Sequence, residues 1–169
     1  MRRIGKAGDA LNKLSVIWKY DLADKLKRKF FQTVVVSVLL YGCTIWTLTK
    51  RLENKLDGTC MKMLRAIWNK TWKQHPTRKQ LYGHLPHITQ IIRVRRTRCA
   101  GHCWRSRDEL ISGVLLWKPS HGHARVGRPA KTYIDQLCAD TGYSGTMNDR
   151  EGWQEIVMDI HAASTTGVT

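Results

Sequence analysis

The densest run of chemistry-bearing side chains is Arg93-Val94-Arg95-Arg96-Thr97-Arg98, followed closely by Arg105 and Arg107. Guanidinium forks grip phosphate oxygens in pairs, so arginines gathered on and just past one helix suit a polyanion. Such contacts position a nucleic acid without reading its sequence. Lys62 and Arg65 on an earlier helix, and Arg128 in a Gly- and Arg-containing stretch, complete the set expected to touch phosphate. The competing expectation is that several of these arginines pair with carboxylates of the more acidic second half.

Metal chemistry is poorly supplied. Residues 1–100 carry only Asp9, Asp21, Asp24, Glu53 and Asp57 as acids, none of them adjacent. Metal-dependent phosphoryl transfer needs clustered carboxylates, whereas these positions suit caps and surface pairs. Asp108-Glu109 opens a predicted helix, where negative charge favours the helix dipole. Cys99, His102 and Cys103 lie close on one helix, His121 and His123 follow in the linker, and two of these could share a zinc ion. Their spacing matches no common structural zinc site, and cysteine on an apolar stripe is ordinarily core. Nucleotide-cradling loops and serine-hydrolase elbows are missing. The expectation is no catalytic residue, no metal and no cofactor. Of the seven tryptophans, Trp18, Trp68 and Trp153 fall on apolar stripes and are expected in the core. Trp72 and Trp104 lie among basic residues; core packing or snorkelling is the expected role of each, and they are the two candidates for stacking on bases.

Charge supports the polyanion reading. The 169 residues carry a net +16, and the excess sits at the front. Residues 1–100 hold 22 basic and 5 acidic side chains; the remainder is almost balanced. A basic surface of this size repels itself unless it meets an anion, and each phosphate it neutralises releases condensed counterions. Five cysteines without regular spacing, and no apolar stretch behind Met1-Arg2-Arg3, predict free thiols in a nuclear or cytoplasmic setting rather than secretion. No apolar run reaches membrane-spanning length.

The elements that must position these groups read as all-α. Ile4, Ala7, Leu11, Leu14 and Trp18 form one stripe of a first helix. Asp21 is a plausible cap for a second, with Leu22, Leu26 and Phe30 inward, running into the apolar Val34–Tyr41 segment. Thr49 caps a third, with Leu52, Leu56, Cys60, Met63 and Ile67 inward and Lys50, Arg51, Lys55, Lys62 and Arg65 outward. Thr77 and Gln80 have capping-box spacing. Ile88 to about Arg105 is a further helix, with Arg95 projecting from the middle of its apolar sector. Leu110 to Trp117 gives another apolar helical turn or two, stopped by Pro119. Pro129 opens a helix with Tyr133, Ile134, Leu137 and Cys138 inward. Asn148 or Asp149 caps the last, with Trp153, Ile156, Val157 and Ile160 inward, and the tail from Ser164 is expected to fray. The division expected is a basic helical bundle over 1–70, an Arg-rich helical segment over 71–117, a linker over 118–129 and a helical pair over 130–163.

Five segments taken in order resemble the region after the palm in LINE-type, non-LTR retrotransposon reverse transcriptases. Leu39-Leu40-Tyr41-Gly42-Cys43-Thr44-Ile45-Trp46-Thr47-Leu48 is similar to that family's Leu-Leu-Tyr-Gly box. Arg3-Ile4-Gly5-Lys6-Ala7 to Ile17-Trp18 resembles the helix before it, and Met63-Leu64-Arg65-Ala66-Ile67 the helix after it. Ala100-Gly101-His102-Cys103-Trp104-Arg105 resembles the Gly-His box, and Gly127-Arg128-Pro129 to Tyr133 the Gly-Arg-Pro box. The resemblance covers roughly residues 2–160. It implies a thumb-like helical bundle followed by a looser helical region. It also implies a role holding template–primer, an RNA–DNA hybrid or other nucleic acid, with little sequence preference, while the family's metal-binding aspartates belong to a palm outside this chain. Thr44-Ile45 departs from the family by lacking an acid before the tryptophan. Two other readings remain open: a protein-interaction module that self-associates through Val34–Tyr41, and a translated retroelement remnant without function.

Overall fold

The computed structural model describes residues 2–106, 110, 113, 132–142 and 149–166. The fold is all-α, with no strand among the described residues. They form two compact units. The first comprises residues 2–42 and 49–91, and the second comprises Cys43–Leu48 with the described residues from 92 to 166. The boundary between them falls inside a helix, between Ile91 and Ile92. Among the described residues no helix is long and apolar enough to cross a membrane.

In the first unit, α1 (Arg2–Lys13) buries Ala7 and Leu11. Leu14 breaks the expected single helix, and α2 (Ser15–Lys19) follows with no fully buried residue. Trp18 is only half-buried; its indole N–H donates to the Leu11 carbonyl at 3.0 Å. The next helix starts later than expected. α3 (Asp24–Phe30) has Ala23, not Asp21, at its N-cap, without a side-chain hydrogen bond. Its buried member is Arg28, while Leu26 is exposed. The chain then widens into a π-helical stretch, Phe31–Val36, before α4 (Ser37–Leu39). The extra residue per turn there brings Phe31, Val35, Val36, Leu39 and Leu40 inward together. Val34–Tyr41 is thus largely consumed as core, against which α1 packs. Only Val34 and Tyr41 remain as large exposed hydrophobics, and Arg3 lies over the Tyr41 ring. This corrects the expectation of a free self-associating face. Gly42 takes the left-handed conformation (φ 69°) that ends the element, which is where a glycine is least strained.

α5 (Lys50–Ile67) starts as expected, with the Thr49 hydroxyl accepting from the Leu52 N–H at 3.4 Å. Leu56, Cys60, Met63, Leu64 and Ile67 are buried, with Met61 beside them. α6 (Arg78–Tyr82) carries the expected capping box, Thr77 and Gln80 exchanging hydrogen bonds of 2.9 and 3.3 Å. Its C-terminus is closed by a residue that composition alone would assign to the surface. The buried Arg28 guanidinium donates to the carbonyls of Leu81 and Gln80 and lies 4.8 Å from the Trp68 ring. Burial pushes its pKa down, partly opposed by Asp24. Gly83 follows at φ 56°, and a Cβ there would meet Arg28 Cζ at 2.8 Å. Cations at a helix C-terminus satisfy orphan carbonyls and the dipole together. Arg28→Gln should therefore cost about 2 kcal/mol. The midpoint of urea unfolding reports this, and an unchanged midpoint contradicts the cap.

α7 (Ile88–Trp104) begins in the first unit with Ile88 and continues into the second. The second unit has a core of Val94, Ala100, Leu137, Trp153 and Val157, with Trp104, Tyr133, Ile156 and Ile160 packed against it. α8 (Tyr133–Thr141) starts at a Thr132–Asp135 capping box. α9 (Arg150–Thr166) is capped by Asp149, whose carboxylate accepts from Glu151 and Gly152 N–H groups at 3.0 Å. α9 remains helical through Thr166, where fraying was expected from Ser164. Leu110 and Gly113 are helical; the rest of the 110–117 turn, the 118–129 linker and Pro129 lie outside the described residues.

Candidate nucleic-acid interface

α5 places its two kinds of charge on opposite sides. Glu53 and Asp57 are buried, whereas Arg51, Lys55 and Lys62 are exposed. Arg51, Lys55, Gly58 and Lys62 follow spacings of four, three and four, so they form one stripe. At 1.5 Å per residue it extends about 16 Å, enough for several successive phosphates. Among the described residues no carboxylate pairs with these three cations. Gly58 sits open in the middle of the stripe, so a phosphodiester backbone could approach the helix closely there. Arg65 is half-buried, with its Nε enclosed and lacking an acceptor. Of the two candidates expected on this helix, Lys62 stands on the stripe. Arg51 and Lys55 were readable as exposed but were not placed in the site, although their spacing to Lys62 was the available signal.

Asp57 explains why this helix has a cationic outer face. Its carboxylate accepts the Tyr82 hydroxyl at 3.0 Å and pairs with Arg78 at 2.5 Å, and His87 stacks on the Tyr82 ring. It is a strut between α5 and α6, not the surface acid expected. The adjoining cavity, about 10 Å³, holds at most one water and no substrate. Burial, reinforced by Cys60 and Asp57, lifts the Tyr82 phenol well above its ordinary range. Burial also pushes the Cys60 thiol up to about 12. Both groups are neutral acids when folded. Once unfolded, the thiol titrates near pH 9.0, so above that pH the unfolded chain binds fewer protons than the folded one. This contribution to stability is complete below pH 9 and is lost progressively toward pH 12. Denaturant midpoints should accordingly fall between pH 9 and 11. A flat profile would show that these groups are not held neutral.

The arginines of α7 part company. Arg95 and Arg98 are exposed. Arg95 also reaches the Cys43 thiol, whose pKa is raised by burial and pulled back by this hydrogen bond. Arg96, by contrast, is 1 % exposed. Its guanidinium pairs with Asp140, whose side chain is 2 % exposed, and donates to the Trp46 carbonyl at 2.9 Å. Arg93 lies 3.5 Å from the same carboxylate. Arg96 is therefore a core residue and not a phosphate ligand. The inward stripe is Ile88, Ile92, Arg96 and Ala100, rather than one interrupted by Arg95. Arg105 is half-buried, and Arg107 and Arg128 lie outside the described residues.

Cys99 and Cys103 meet at 4.0 Å, and burial and the neighbouring thiol raise the Cys103 pKa. His102 is exposed, and no three metal-ligating side chains gather among the described residues. Trp104 packs on the core of the second unit; nothing is described of the Trp72 side chain. Gly101, which sequence reasoning did not single out as functional, is a packing position. A Cβ there would collide with the Trp153 indole, whose N–H donates to the Thr97 carbonyl at 2.9 Å.

No family model matches the chain, and no solved structure matches it. It is 22 % identical over 151 residues to an uncharacterized transposon-derived protein of Caenorhabditis elegans. That alignment covers 79 % of this chain and 54 % of the relative, so the chain spans about half the length of the curated relative it matches. The likeness is consistent with a transposon-related origin.

Proposed function

We propose that this chain holds nucleic acid through phosphate contacts, as the thumb-like part of a retroelement reverse transcriptase, contributing grip and not bond-making chemistry. The observation that carries the reading is the Arg51–Lys55–Lys62 stripe, cationic on its outer face because the acids of α5 are turned inward. The front-loaded charge and the likeness to a transposon-derived protein support it independently. In the second unit Arg95 and Arg98 offer further phosphate contacts. The five ordered segments favour an RNA–DNA hybrid as the partner, and phosphate contacts alone give little sequence preference.

Arg51→Gln, Lys55→Gln and Lys62→Gln combined should weaken binding of unrelated hybrid sequences alike, by roughly tenfold or more. The slope of log affinity against log salt should flatten by about 3, one for each lost phosphate contact. Fluorescence anisotropy across a salt series reads both. A triple variant with wild-type slope places the grip elsewhere, and sequence-dependent loss contradicts backbone recognition.

A further inference from the structure

In the second unit, Cys99 and Cys103 stand four residues apart on α7 and therefore on one face of it. Their sulfurs are 4.0 Å apart, and both side chains are half-buried. Cys43 and Cys60, by contrast, are buried. Tyr133 of α8 lies close enough for its phenol pKa to be raised by burial first and then by Cys99. The two thiols thus have an aromatic neighbour and access to solvent, so a small solute can reach them.

Two facing thiols can join as a disulfide or share an ion, and the spacing decides between these uses. A disulfide brings the Cβ atoms to about 3.8 Å. Residues four apart on a helix hold theirs about 5–6 Å apart, so that bond would distort the end of α7. A bridging ion needs no such movement. With metal–sulfur bonds of about 2.3 Å, sulfurs 4.0 Å apart subtend roughly 120° at the metal. Among the described residues no third metal-ligating side chain joins them, whereas a structural zinc ion takes four ligands. Cu(I) is a soft ion that thiolate sulfur selects. We infer that Cys99 and Cys103 form a two-sulfur site for Cu(I) on α7. Each thiol releases its proton to solvent, the ion keeps its oxidation state, and the resulting bis-thiolate carries one negative charge. The cation takes the place of the proton that burial and Cys99 keep on Cys103. Arg95 and Arg98, within one turn of Cys99, offset the charge. This site is separate from the cationic stripe of α5 and does not depend on it.

The test uses the full chain, reduced with a non-thiol reductant and titrated anaerobically with Cu(I) alone. One ion should bind per chain, giving a near-ultraviolet thiolate-to-copper band and a raised melting temperature. X-ray absorption of the unaltered chain should show two sulfur neighbours. Cys99→Ser and Cys103→Ser should each weaken binding by more than about tenfold, since losing even a group behind a ligand costs about that much. Cys138→Ser, which removes the other half-buried thiol, should leave binding unchanged. Full affinity in either of the first two variants, loss of binding with Cys138→Ser, or three or more sulfurs around the ion overturns the site. Equal competition by Zn(II) overturns it as well. The absorption measurement needs no variant, so it decides the matter even if a substitution prevents folding.

Discussion

Asp140→Ala is expected to lower unfolding stability by about 3–5 kcal/mol, because it strands the Arg96 charge inside the second unit. Arg96 is 1 % exposed and has its counter-charge in Asp140 and one acceptor in the Trp46 carbonyl. Without the carboxylate, a buried guanidinium must be neutralised, hydrated or expelled, and each route costs folding energy. The pair is not thereby a net source of stability. Removing both charges together with Arg96→Met and Asp140→Leu should recover most of the loss, since a well-packed apolar replacement avoids the desolvation of two ions. Chemical denaturation of the two variants decides the matter. A loss under about 1 kcal/mol for Asp140→Ala would show that Arg96 is solvated in solution.

Gly101→Ala is expected to cost about 3 kcal/mol, although alanine is the better helix former by roughly 1 kcal/mol. The added methyl group occupies the space of the Trp153 indole, a rigid ring that is 2 % exposed and central to its core. Displacing it also breaks the hydrogen bond to the Thr97 carbonyl and leaves a buried donor unsatisfied. Overpacking of this kind typically costs about 1–3 kcal/mol before the lost hydrogen bond is counted. Trp153→Phe should be partly compensating, so the double variant should lose less than the sum of the singles. Thermal melts of the three proteins test this. Full additivity would mean that the glycine and the indole do not share the space.

Much of the fold was readable because helix starts are local. Thr49, the Thr77–Gln80 box and Asp149 each satisfy N–H groups two or three residues away, so sequence and structure agree there. The Thr132–Asp135 box is equally local, its two hydrogen bonds spanning three residues. What was not readable is non-local. Arg96 and Arg95 are neighbours of one type, and which of them turns inward is set by Asp140, 44 residues away. Arg28 caps a helix 53 residues downstream, and Asp57 braces a tyrosine 25 residues on. Periodicity also misplaced the inward face of the second helix: Arg28, not Leu26, is buried there, and a π-helical stretch follows at Phe31–Val36. The outward stripe of α5 was legible from its spacing, since nothing distant is needed to leave lysine in water.

The central claim is that exposed cations hold the phosphates of a nucleic acid without reading its bases. The most direct measurement is the affinity of the full chain for two hybrid duplexes of unrelated sequence, from about 50 to 300 mM salt. The account predicts equal affinities that fall together, with a log–log slope of at least about −3. No binding at the lowest salt, or an affinity indifferent to salt, would contradict it.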